Sequence, residues 1–128
     1  LLILRDAFFG KKRFGQFERS LGISKNILSA RLNQLIEEGI MERRDAEDGA
    51  HPEYVLTQAG LDLQPVLLAM THWGDEYRPN PQGARLIFTD RRTGTPIRRM
   101  GAVSEDGRSL APGDLQAVQG PGAAPRRA

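Results

Sequence analysis

The stretch that most constrains this fold runs from Arg13 to Gly39, RFGQFERSLGISKNILSARLNQLIEEG. Phe14, Phe17 and Leu21 fall at helical spacing and predict a short first helix. Gly22 should end it, because glycine alone enters the left-handed cap conformation without a Cβ penalty. Ile23 is placed to plug the angle that follows. Ser24 suits the N-cap of a second helix, since its hydroxyl can accept an orphan backbone N–H. In that helix Leu28, Leu32 and Leu35 recur at i, i+4 and i+7 and share one buried stripe. Gly39 should close it, with Ile40 as the apolar residue beyond. Two helices joined by a tight turn make a helix-turn-helix. An ordinary helical hairpin fits this stretch equally well, so the decision rests on what surrounds it.

At about 100° per residue, the face opposite the leucines carries Asn26, Ser29, Ala30, Asn33 and Glu37. Short polar side chains of this kind suit a helix that enters a DNA major groove and reads base edges. Lys25 and Arg31 flank the face within reach of phosphates. Between Gly10 and Arg31 stand six basic residues (Lys11, Lys12, Arg13, Arg19, Lys25 and Arg31) against one acid, Glu18. The whole chain carries a net charge of only +2, so the clustering is informative and the total is not. A phosphate footprint and a solvated charged face both fit such a cluster.

Residues 1–9 read as the end of a buried helix. Leu1, Leu4 and Phe8 fall at helical spacing, Arg5 and Asp6 interrupt the apolar run, and Gly10 stops it. The chain starts without Met and in mid-pattern, which predicts that part of a first helix precedes it. After Gly39 the period changes. Ile40 to Arg44 and Glu53 to Thr57 predict two strands about a turn-rich segment containing Asp48-Gly49 and Pro52. A hairpin there is the wing of a winged helix, with Arg43 and Arg44 as its phosphate contacts. A hairpin that merely covers the core is the plainer alternative. Thr57 can cap a helix running to about Tyr77, kinked at the internal Pro65. Its apolar residues, Leu61, Leu63, Val66, Leu67, Leu68, Met70, Trp73 and Tyr77, spread over more than one face. One side should meet the domain core and the other a second chain, or residues 83–118 of the same chain. Residues 78–83 read as a linker. Residues 84–118 read as a small β appendage with short strands at 86–89, 96–100 and 115–118. Residues 119–128, rich in Gly, Pro and Ala, are expected to be disordered, and Arg126 and Arg127 there to be solvated.

These residues together resemble the HxlR-type winged-helix regulators. The resemblance rests on Leu1 to Gly10, Arg13-Phe14, Phe17, Leu21-Gly22-Ile23, Asn26, Leu28, Arg31-Leu32, Leu35, Gly39-Ile40 and Arg43. Tyr54 to Gly60, Leu67 to Met70 and Trp73-Gly74-Asp75 continue it, so it covers residues 1 to about 77 in order. It implies an α+β, mainly α fold: a winged helix-turn-helix over 1–77, a long dimerisation helix and the small C-terminal β appendage. It also implies a bacterial or archaeal transcription factor, cytoplasmic and nucleoid-associated, that binds double-stranded, pseudo-palindromic DNA as a homodimer. A repressor is the expected direction. The recognition helix would be Ser24–Glu38, with Lys25, Asn26, Ser29 and Arg31 where the family contacts DNA and residues 40–57 as the wing; Asn33 joins these candidates from its place on the polar face. The dimer interface would take Leu1, Leu63, Val66, Leu67, Met70, Trp73 and Tyr77. A small-molecule effector, seated between the core and the dimer helix, is compatible with this reading. An assembly module that binds only protein is the rival.

Two departures from the family qualify the resemblance. Asp45, Glu47 and Asp48 put three acids on the wing tip, which leaves phosphate contact to Arg43 and Arg44 at its base. Some extended members carry zinc-ribbon cysteines, where this chain has Arg91 to Gly94 and Ala102 to Gly107. With no cysteine anywhere, neither a thiolate zinc site nor a disulfide can form within it. No metal or other cofactor is expected, since only acids could complete a metal site with His51 and His72. No phosphate loop, dinucleotide fingerprint or nucleophile elbow occurs, so an enzyme is not expected. No apolar run approaches the roughly 20 residues a membrane span needs.

Overall fold

The computed structural model describes residues 1–46, 49 and 51–123. Helix α1 (Leu2–Phe8) is followed by α2 (Phe14–Leu21), α3 (Lys25–Glu37), strand β1 (Met41–Arg44), strand β2 (Glu53–Leu56), α4 (Gln58–Leu61) and α5 (Gln64–Tyr77). One 3-10 turn, Pro112–Asp114, follows in the appendage.

The expected punctuation forms. Gly22 caps α2 in the left-handed region at φ 63°. Ser24 caps α3, its hydroxyl accepting the Ile27 N–H at 3.2 Å. Gly39 leaves α3 at φ 77°. Its N–H then reaches the Ile36 carbonyl and the Ile40 N–H the Leu35 carbonyl, at 3.0 and 2.9 Å. That paired closure turns the chain into β1. β1 and β2 pair antiparallel, Met41 opposite Leu56 and Arg44 opposite Glu53. Asp45 is exposed, whereas Glu47 and Asp48 of the wing tip lie outside the described residues.

Ile3, Phe17, Leu28, Leu32 and Met41 form the buried centre, with Phe14, Leu21, Ile23, Leu35, Ile40, Tyr54 and Leu56 packed around it. The face of α1 differs from the expected one. Ile3 and Leu4 are buried, while Leu1 and Phe9 are about half exposed. Asp6 is buried with them, its Oδ1 meeting Arg5 at 3.3 Å.

Residues 58–77 are two helices, not one kinked helix. Thr57 caps the single turn of α4 by accepting the Gly60 N–H, and its hydroxyl donates to the Gly39 carbonyl at 2.6 Å. The chain turns at Asp62 and Leu63, and Pro65 falls in the first turn of α5. A proline there removes an N–H that would lack a helical partner anyway, so a fresh start replaces the kink.

The appendage also departs from expectation. Residues 86–89, 96–100 and 115–118 form no strands. Two isolated antiparallel bridges, Thr89 with Pro96 and Val103 with Ser109, stand in their place. Each is closed by a side-chain-braced turn. Asp90 accepts the Arg92 N–H at 2.8 Å, and Asp106 accepts the Ser104 hydroxyl and the Arg108 N–H. The appendage lies on α1 and α5: Phe88 stacks on Phe9 at 6.2 Å, Arg99 pairs with Glu76 at 3.3 Å, and the Met100 N–H donates to His72 Nδ1. The tail's Arg126 and Arg127 lie outside the described residues.

Candidate nucleic-acid interface

Lys25, Asn26, Ser29, Arg31 and Asn33 are all exposed on α3, while Leu28 and Leu32 are buried beneath them. The helix therefore presents the polar face that its periodicity assigns to it. Ile27, missed in the sequence reading, is 47% exposed. It stands beside Asn26 on the outward side and adds an apolar group to that surface. Its signal was an isoleucine outside the leucine stripe.

The two candidate arginines of the wing differ. Arg44 is tied to Glu42 on its own strand, through Nε at 2.6 Å. Arg43 is exposed and has no ion pair among the described residues, so it is the readier of the two for an anion. A further constraint escaped the sequence reading. The Tyr54 N–H donates to the Lys12 carbonyl at 2.7 Å, and Arg13 bridges to Glu53 as a one-residue third strand. The Glu53 carboxylate meets Arg13 at 3.3 Å and Lys12 at 3.6 Å, and Arg13 Nη1 donates to the His51 carbonyl at 2.7 Å. Two of the six clustered cations thus hold the wing base to the loop before α2.

On α5, Val66, Met70, Trp73 and Tyr77 are each at least half exposed and share one stripe at spacings of three and four. Trp73 lies 5.3 Å from Tyr77, with Arg78 over its ring at 5.6 Å. Leu67 is 7% exposed within the single chain and Leu63 is half-buried, so Leu67 has almost no area left for a second copy. Leu1 is exposed, on a groove shared with Leu21, Ile23, Arg31 and Leu35. The clefts along α5 are lined by the linker and appendage, through Arg78, Arg85 and Leu86, rather than by the winged-helix core where an effector was expected. Among the described residues no helix is long and apolar enough to cross a membrane.

A family model described as HxlR-like helix-turn-helix matches residues 1–82, the span that holds the capped α3, its outward polar face and the hairpin behind it. The chain belongs to the HxlR-like helix-turn-helix family. That family and its relatives are transcription regulators, a non-enzymatic class. An uncharacterized HTH-type transcriptional regulator of Mycobacterium tuberculosis is 50% identical over 84 residues, covering 65% of this chain and 53% of its own. The chain therefore spans about half the length of that curated relative. The crystal structure of the transcription-factor candidate PA1607 matches with a TM-score of 0.85 at 43% identity, covering 93% of this chain and 84% of its own. That coverage carries the likeness beyond the HxlR-like segment into the appendage. The reduced form of the Bacillus subtilis transcriptional regulator YodB matches with a TM-score of 0.54 at 33% identity, over 59% of this chain and 76% of its own.

Proposed function

We propose that the chain binds double-stranded DNA as a homodimer on a pseudo-palindromic operator and acts as a repressor of transcription. The observation that carries this is the exposed α3 face, where Asn26, Ser29 and Asn33 point outward from a buried leucine stripe. Asn26 suits bidentate contact with an adenine edge, and Ile27 suits a thymine methyl. Lys25, Arg31 and Arg43 supply phosphate contacts beside them. The α5 stripe pairs two copies, so that two recognition helices enter successive major grooves about 34 Å apart. A bound dimer then blocks polymerase sterically.

The test is a selection from randomised duplexes, followed by a salt titration of the selected site. Asn26→Ala should relax preference at one position per half-site, at about 1–3 kcal/mol of lost discrimination. Arg31→Ala should instead weaken all sequences alike. A wild-type chain that dimerises but shows no salt-dependent DNA affinity would establish the rival, an assembly module.

A further inference from the structure

A cleft of about 720 Å³ lies between α2, the start of α3 and the base of the wing. Gly15, Glu18, Arg19, Lys25, His51 and Tyr54 are among the residues lining it. Its wing-side wall is fixed, because Arg13 holds the His51 carbonyl and the Glu53 carboxylate there. Arg19 and Lys25 are different. Both are exposed, and neither is ion-paired among the described residues.

Arg19 does not extend into solvent at random. Its guanidinium folds back along α2, placing Nη1 3.2 Å from the point a Cβ on Gly15 would occupy and Cζ 3.9 Å from it. Glycine inside a helix is normally unfavourable. Gly15 does not lie at positive φ, so a special backbone conformation does not account for it. What the missing side chain provides is a notch in which the guanidinium can lie. The cleft thus carries a positioned, forked donor on one wall and an ammonium at the first residue of α3 on another. A guanidinium matches a phosphate through paired N–H donors, while an ammonium adds a point charge. The cleft opens between α3 and the wing, the two elements whose basic residues are proposed to contact DNA.

We infer that this cleft seats one phosphate of the DNA strand that runs between α3 and the wing, held by Arg19 and Lys25, with Gly15 making room for Arg19. The inference rests on the DNA-binding reading above and adds Arg19 and Gly15 to the interface. It also assigns an opposing role to Glu18, whose carboxylate lines the same cleft and disfavours an anion there.

The experiment titrates the full chain against a short mixed-sequence duplex by fluorescence anisotropy, across a series of salt concentrations. Arg19→Gln should weaken binding several-fold and lower the slope of log affinity against log salt by about one unit. Arg19→Lys should keep that slope while losing part of the affinity, and Glu18→Gln should tighten binding. An unchanged slope for Arg19→Gln, or no gain for Glu18→Gln, overturns the cleft assignment. If Arg31→Ala still lowers the slope in that case, the DNA-binding reading survives without the cleft. No salt-dependent binding by the wild-type chain overturns both.

Discussion

A single missing methyl group fixes how the second half of the winged helix sits on the first. A Cβ on Gly60 would stand 2.3 Å from the Ile40 carbonyl oxygen and 2.9 Å from Leu56 Cδ2. The first neighbour is backbone and cannot swing aside. Gly60→Ala should therefore lower unfolding stability by about 2–3 kcal/mol, through overpacking alone. Urea denaturation checks this: the midpoint should fall with the slope unchanged, and an unmoved midpoint refutes the clash. Asp106 shows a residue-scale effect of the opposite kind. Hydrogen bonds from the Ser104 hydroxyl first, then from the Arg108 N–H and guanidinium, hold its carboxyl below the ordinary range. A depressed folded pKa means the contribution is present above the unfolded value, about 3.9, and is lost as pH falls through the folded one. The group is fully exposed, so it steadies its turn locally rather than the whole domain. Carbon-13 NMR should give Asp106 a midpoint below 3.9, and Ser104→Ala should raise it. A midpoint at the ordinary aspartate value, unmoved by Ser104→Ala, rules this out.

Element boundaries were legible wherever one residue's chemistry decides them. Gly22, Ser24, Gly39 and Thr57 each end or begin a helix through a local hydrogen bond or a left-handed φ, and all four do so here. The polar face of α3 was legible for the same reason, since periodicity alone turns Asn26 and Ser29 away from Leu28 and Leu32. Pro65 was ambiguous, because a proline can kink a helix or begin one. The β-prone residues of the appendage misled: Ile87 and Ile97 sit in a segment whose hydrogen bonds close tight turns rather than a ladder. Least legible was the sorting of the basic cluster. Lys12 and Arg13 are claimed by Glu53, a partner far along the chain that no local pattern reveals. That pairing predicts an effect on the wing as a unit. Glu53→Ala should cost no more than about 1 kcal/mol of global stability, since the partners are partly solvated. It should nevertheless loosen the wing base, seen as faster hydrogen exchange at the Tyr54 amide that bonds to Lys12. Unaltered exchange at Tyr54 would show that the backbone bridge holds the wing without the carboxylate.

On the scale of the whole molecule, α5 divides two kinds of contact. The appendage reaches it through His72 and Glu76, while Val66, Met70, Trp73 and Tyr77 remain open on another side. Half-exposed side chains of that size offer on the order of 100 Å² each, so the stripe supplies roughly 400 Å² against about 800 Å² per partner in a stable interface. A dimer built on α5 therefore needs more area, and Leu1, Leu2 and Leu61 are exposed apolar residues of the same chain that can provide it. In the proposed dimer, with so small a core to the interface, the largest ring should dominate. Trp73 also carries the Arg78 guanidinium over its ring and has the Tyr77 ring tilted beside it, so truncation removes both of these contacts as well. Trp73→Ala should raise the dimer dissociation constant about 30-fold, equivalent to about 2 kcal/mol, while the monomer fold survives because the ring is half solvated. Sedimentation velocity over a dilution series reads the constant directly, and circular dichroism confirms the fold. The variant should then lose affinity for a two-half-site operator far more than for an isolated half-site, because only the former depends on pairing. Equal losses on both duplexes would mean that Trp73 serves the winged helix itself, and an undiminished dimer would place the interface elsewhere.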